Sequence, residues 1–290
     1  MRRLLAAALG LTAAAVALGP RAAPLGAEAA HILVFDSSRS GRFRIYTQPP
    51  GGQATLLVRD TGGNDFAPSV SPRGRKIAYS RRANGNYDIY IASVATGAGA
   101  RLTRSPAIDA FPAWSSTGEI AFESTRAGGV NYDIYVWDAG HIRRLTAAAA
   151  VDGLPTWSPD GSHIAFDSNR NGHFQIMRLP AHGPGRPVAL TPASSNAVQP
   201  SWSPSGTSIA FAGNASGRYQ IYVVDVHTLA VTRVTTDAGN DYQPAWAPDG
   251  SRIAYVSDAG GHHRMWTIGP QGQSPTQVSD KGGELPAWLS

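Results

Sequence analysis

Along the chain, apolar and small polar residues trade places in short runs, and Gly, Pro, Asn and Asp interrupt them at close intervals. Such period-two runs between turn residues predict β-strands. Gly153–Phe166, GLPTWSPDGSHIAF, shows the unit most clearly. Pro155-Thr156-Trp157-Ser158 opens an extended segment. Ser158-Pro159-Asp160-Gly161 has Pro second and Gly fourth, the chemistry of a type I turn. Ile164-Ala165-Phe166 then begins a second strand, in residue types suited to a pleated and packed surface. A two-stranded hairpin buries too little to stand alone, so a repeated one predicts stacking on its copies.

The unit does repeat. Pro68, Pro112, Pro155, Pro200, Pro244 and Pro286 stand 42 to 45 residues apart. Trp114, Trp157, Trp202 and Trp246 follow four of them, and Val70 takes that place in the first copy. The second strand ends in an aromatic at Phe35, Tyr79, Phe122, Phe166, Phe211 and Tyr255. A third segment of the Ile-Tyr type follows, as at Ile89-Tyr90 and Ile134-Tyr135, and a fourth sets Leu or Val beside a small polar residue, as at Leu145-Thr146. Four short strands in such a period predict the blade of a β-propeller. Helical solenoids have similar periods, but their apolar residues would recur at helical spacing.

The two ends set the blade count. Leu285–Ser290, LPAWLS, is a first strand with no second strand after it, and Leu33-Val34-Phe35 is a second strand with no first. Phe35–Tyr46 (FDSSRSGRFRIY) aligns without a gap to Phe166–Met177 (FDSNRNGHFQIM). Five whole blades and one shared blade predict an all-β, six-bladed propeller of four-stranded blades over residues 30–290. Pairing the N-terminal strands with the C-terminal strand closes it and removes exposed sheet edges.

The repeat P-x-W-S-P-D-G-x-x-I-A-F, followed by S-x-R-x-G and I-Y, resembles the TolB-like β-propeller repeat family. The expected match is to the propeller part only, without the α/β domain that precedes it in TolB. The resemblance implies a bacterial envelope setting and a protein or peptide ligand docked at one end of the axial channel. The repeat also resembles the propellers of prolyl-oligopeptidase-like hydrolases and of oligogalacturonate lyases.

Residues 1–29 read as a secretory signal peptide. Arg2 and Arg3 form a basic start, Leu4–Leu18 an apolar run, and Ala27-Glu28-Ala29 a small-x-small cleavage site. The run is short for a membrane span, so no stable membrane anchor is expected and the protein is placed in the periplasm or outside the cell. The absence of cysteine excludes a lipoprotein anchor and a disulfide framework. Without Arg2, Arg3, Arg21 and Glu28 the chain carries 22 basic and 19 acidic residues, against 25 and 20 in the whole. So mild a balance, with no Lys/Arg run, does not point to nucleic acid. A monomer is expected.

Strand order puts the Ser-Pro-Asp-Gly turns on one face of the ring. The turns between second and third strands and the loops between blades share the other face. On that loop face Asp65, Asp109, Asp152 and Asp241 stand three residues before their prolines, with Ala197 and Gly283 at the same place in the remaining blades. They are expected to ring the channel mouth. Asn64, Asn196 and Asn240 precede three of these positions, and Arg39, Arg82, Arg126 and Arg170 form an expected outer rim. Two readings stay open. The acids cap their own turns while the arginines tie neighbouring loops, or the ring is a shared cation or partner site, whose oxygens would suit Ca²⁺. No other cofactor or metal is expected.

Enzyme readings have less support. No G-x-S-x-G elbow occurs, and Gly213-Asn214-Ala215-Ser216-Gly217 has the wrong spacing. A metal-assisted lyase needs converging histidines, yet His31, His141, His163, His173, His182, His227, His262 and His263 are scattered and miss the mouth positions. The expectation is an exported, non-enzymatic module that binds a protein or peptide partner, with no catalytic residues. A carbohydrate-active lyase is the alternative.

Overall fold

The computed structural model describes residues 31–59, 62–128, 131–279 and 282–289; the leader expected over 1–29 lies outside them. The described chain forms six four-stranded antiparallel sheets. Blade 1 runs Asn64–Val70, Lys76–Ala83, Asn86–Ser93 and Gly99–Arg101. Blade 2 runs Asp109–Trp114, Ile120–Ser124, Asp133–Asp138 and His141–Arg144. Blade 3 runs Asp152–Trp157, His163–Asn171, His173–Pro180 and Val188–Ala189. Blade 4 runs Ala197–Trp202, Ser208–Gly213, Gln220–Asp225 and Val231–Arg233. Blade 5 runs Asp241–Trp246, Ile253–Ser257, Arg264–Ile268 and Thr276–Gln277.

Blade 6 takes Glu284–Leu289 from the end of the chain and Ile32–Ser37, Arg44–Gln48 and Thr55–Leu56 from its beginning. The clasp pairs Ile32 with Leu289, Leu33 with Trp288 and Val34 with Ala287. The all-β, six-bladed propeller read from the sequence is the fold observed. Trp288 is half-buried, and its indole N–H donates to the Ala245 carbonyl of blade 5 at 2.9 Å.

The core is divided among the blade interfaces. Between blades 2 and 3, Trp157, Ile164, Phe166 and Met177 meet Ala121, Ile134 and Val136. Between blades 3 and 4, Trp202 and Phe211 meet Ala165 and Ile176. Each blade therefore offers one apolar face to the copy before it and one to the copy after, which is why the unit cannot stand alone. Among the described residues no helix is long and apolar enough to cross a membrane.

Every first strand carries one residue more than its partner between two paired positions. In blade 1 the register jumps between Phe66 and Ser69, and in blade 2 between Ala110 and Ala113. The anchoring prolines sit at these bulges, where no ladder N–H is needed. The residue before each proline, Ala67, Phe111, Leu154, Gln199, Gln243 and Leu285, has φ between 48 and 59°. That is the left-handed region, sparsely occupied by residues other than glycine. None of the six is β-branched, the side-chain type it would strain most.

Candidate binding site at the axial channel

Six left-handed residues around one axis need something to hold them. Each backbone N–H donates to a side chain from the blade before. Ala67 donates to Asp36 Oδ1 at 3.0 Å, Phe111 to Ser80 Oγ at 2.8 Å, and Leu154 to Glu123 Oε2 at 3.1 Å. Gln199 donates to Asp167 Oδ2 at 3.1 Å, Gln243 to Gln199 Oε1 at 2.9 Å, and Leu285 to Gln243 Oε1 at 2.8 Å. In the first four cases the acceptor follows the aromatic of the second strand. In blades 4 and 5 that place holds Ala212 and Val256, which accept nothing, and the glutamine at the blade's own bulge supplies the oxygen instead.

Two cavities lie along the axis and share Phe111, Leu154, Gln199, Gln243 and Leu285 of this ring. On the side of the Ser-Pro-Asp-Gly turns, a space of about 320 Å³ is walled by the six anchoring prolines with Trp246 and Trp288. On the loop side, a space of about 370 Å³ is walled by Phe66, Tyr87, Ile108, Phe111 and Tyr132, with Glu123 and Glu284 as its acids. The aromatic wall continues outward, since Phe43 and Phe66 ring centres lie 4.8 Å apart and those of Phe66 and Tyr87 6.2 Å apart.

Burial governs the acids of the ring. It raises Glu123 to about 7, against the pull of the Leu154 N–H. It raises Asp167 to about 8, with the charges of Glu123 and Asp152 adding to the effect. Asp36 is also held well above the ordinary carboxyl range, by burial first and then by Glu284 and Asp65, with the Ala67 N–H opposing. Burial raises Tyr132 as well, followed by the charge of Glu123.

The residues expected at the mouth are elsewhere. Asp65, Asp109, Asp152 and Asp241 are fully buried and line neither axial cavity. Asp109 accepts from Ser124 at 2.6 Å and from Arg126 at 2.5 Å. Asp152 accepts from Ser168 at 2.6 Å and is chelated by Arg170 at 2.9 and 2.8 Å. Arg126 and Arg170 also stack over Phe122 and Phe166, so they tie blades internally instead of forming a free rim. Blade 1 runs out of step with its neighbours. Asp65 lies opposite Arg81, where blades 2 and 3 have serine, and Arg81 Nε donates to it at 2.7 Å. Arg82, the expected rim residue, is exposed and stacks over Tyr87 at 5.7 Å, at the edge of the loop-side cavity.

Arg39 donates to the Gly282 carbonyl at 3.1 Å and stacks over Phe35 and Tyr46. Its blade has Gly283 in the Asp position, where a Cβ would come within 2.9 Å of Met265 and Phe35. The asparagines staple blades together: Asn64, Asn196 and Asn240 accept the N–H groups of Phe43, Phe174 and Tyr219 at 3.3, 3.0 and 3.2 Å. The oxygens proposed for Ca²⁺ therefore do not converge. Among the described residues no three His, Cys, Asp or Glu are placed to hold a metal ion. The histidines stay apart, with His182 beside Glu119 and His263 beside Glu284.

Comparison with known proteins agrees with the propeller fold. Residues 11–138 and 185–288 match the TolB beta propeller domain. The chain belongs to this family. A curated TolB homolog from Chlorobium luteolum is 30% identical over 150 residues, 51% of this chain and 34% of that protein. The matched segment thus spans about a third of that TolB homolog's length. The crystal structure of TolB from Acinetobacter baumannii superposes with a TM-score of 0.79 at 23% identity, covering 89% of this chain and 66% of that one. An oligogalacturonate lyase in complex with manganese superposes at 0.62 and 16% identity, covering 86% and 73%. At these identities both structures speak for the propeller fold alone.

Sequence reasoning missed the residues that do line this TolB-like propeller's loop-side cavity. A signal for some of them was present. Phe43, Tyr87, Tyr132, Phe174 and Tyr219 recur two residues before the third-strand Ile. Glu123 and Asp167 gave no such signal, because the hydrogen bonds that fix them run to the next blade.

Proposed function

We propose that this chain is an exported, non-enzymatic binding module of the bacterial envelope, periplasmic or secreted, that holds a short peptide segment of a protein partner in the loop-side cavity. The observation that carries this reading is the cavity itself. Its aromatic and aliphatic walls, with a few convergent carboxyl and amide groups, are the make-up of a ligand site. Its floor is fixed by five of the six capped left-handed residues, so it is formed before a guest arrives. Family membership and the leader pattern agree with the setting.

The test selects peptides from a displayed random library on the purified protein. Selected peptides should lose binding to a Tyr87→Ala/Tyr132→Ala variant whose melting is unchanged, and should keep it for Pro248→Ala on the opposite face. Peptides indifferent to the tyrosines would place the site elsewhere. Metal-dependent breakdown of pectic glycans would replace the binding reading with the lyase one.

A further inference from the structure

Glu123 is the acid that the ring of caps fixes at the wall of the loop-side cavity. It lines the loop-side cavity although only 7% of its surface is exposed. Its Oε2 is committed to the Leu154 N–H. Asp167 lies beside it, because both carboxylates cover Gly153: a Cβ there would come within 2.8 Å of Glu123 Oε2 and 3.2 Å of Asp167 Oδ1. The cavity is lined by Glu123 and Glu284 and by no lysine or arginine.

Elsewhere the same chemistry is complete. Asp109 and Asp152 each sit beside an aromatic ring with an arginine spanning both: Arg126 lies 5.3 Å over Phe122 and Arg170 lies 5.7 Å over Phe166. The loop-side cavity offers carboxylates and aromatic faces with no base among its lining residues, Arg82 standing outside it over the outer ring, Tyr87. Resting on the peptide-binding reading, we propose that it selects a basic side chain, an arginine or lysine of the bound segment, with Glu123 as counter-charge and Phe66, Tyr87, Phe111 and Tyr132 along its stem. Ring faces attract such a cation, most strongly where water is excluded.

A proton is linked to this binding. Glu123 is held near 7 by burial, so part of the population is neutral at pH 7. The groups facing it are Asp167, Tyr132 and Tyr87, with Arg82 over the Tyr87 ring, Glu284 across the cavity and His263 3.3 Å from Glu284. A bound cation favours the ionised carboxylate and expels the proton. Affinity therefore rises with pH and levels off above the value of the free site.

Saturation-transfer NMR with N-acetyl-arginine methylamide, its norleucine counterpart and agmatine tests the assignment on the purified protein. The arginine amide should bind at least about tenfold more tightly than the norleucine amide, and about tenfold more tightly at pH 8 than at pH 6. Glu123→Gln should abolish both differences. It keeps an oxygen for Leu154, as Gln199 and Gln243 already do for their neighbours. Should that variant fail to fold, Tyr132→Leu and the pH profile of the unaltered protein decide the matter, with the preference for arginine expected to shrink in the former. Equal binding of arginine and norleucine amides, or a pH-independent preference, would overturn the basic-side-chain assignment and leave the peptide reading standing. No binding by either amide would overturn both. Agmatine binding more tightly than the arginine amide would overturn the peptide source in favour of free amines.

Discussion

Blades 3 and 5 follow one backbone plan and differ in one charge. In both, an aspartate three residues before the anchoring proline is fully buried, opposite a serine of the second strand: Asp152 faces Ser168, and Asp241 faces Ser257. Blade 3 then places Arg170 two residues past the serine, and the arginine folds back on the acid. Blade 5 has Ala259 there, so no guanidinium reaches the Asp241 carboxylate, which has only the Ser257 and Thr235 hydroxyls near it. Burial raises Asp241 to about 6; the nearby charges of Asp237 and Asp258 add to this, while the Ser257 and Thr235 hydroxyls pull the other way. The aspartate belongs to the repeat, whereas its partner is a local choice. A buried acid in this fold is a structural tie when the arginine is present and a liability when it is absent.

Four substitutions separate these states. Blade 1 should respond most, because both members of its pair are buried, Arg81 at 3% and Asp65 at 0% exposure. Arg81→Ala takes the guanidinium from a buried acid and is expected to lower stability by about 3–5 kcal/mol in urea unfolding. Arg170→Ala turns blade 3 into a copy of blade 5. Its guanidinium is 21% exposed, so solvent screens part of the loss and about 2–3 kcal/mol is expected by the same measurement.

In blade 5 the effect should change sign. Asp241→Asn removes the orphaned charge and should stabilise the protein by about 1–2 kcal/mol at pH 8. The folded value lies above the ordinary 3.8, so ionisation of Asp241 opposes folding increasingly as pH rises through about 6. The gain should shrink on acidification and vanish by about pH 4, as melting curves across that range would show. A constant gain would mean that the acid is not the cause. Ala259→Arg should supply the missing tie and contribute about 1 kcal/mol at neutral pH. Combined with Asp241→Asn that contribution should disappear, and additive effects in the double-mutant cycle would rule the pairing out.

The sequence carries what repeats and hides what spans two copies. Period, strand order and the clasp were readable because Pro286-Ala287-Trp288 and Phe35–Tyr46 each match a complete unit elsewhere in the chain. Asp152 and Arg170 were readable as a recurring pair. Their burial was not, since the same spacing serves a solvent-facing ring and a folded-back tie. Arg82 misled because a Ser-Arg-Arg run offers two alignments, and only the pairing of Asp65 with Arg81 selects between them. The left-handed bulges had no compositional mark, because no glycine stands at any of the six. What fixes them is an acceptor some thirty to forty-five residues away, in the preceding blade or at its bulge.

That acceptor changes character around the axis. Blades 6, 2 and 3 cap their neighbours with carboxyl groups, blade 1 with a hydroxyl, and blades 4 and 5 with amides. A ring of six like units would offer a guest six equivalent rotational settings. Here the two amide caps stand side by side on one arc, while the carboxyl caps flank the single hydroxyl on the other, which gives the channel a compass direction. A polar segment entering it meets one preferred azimuth, and exchanging caps between arcs would turn the guest without moving the backbone.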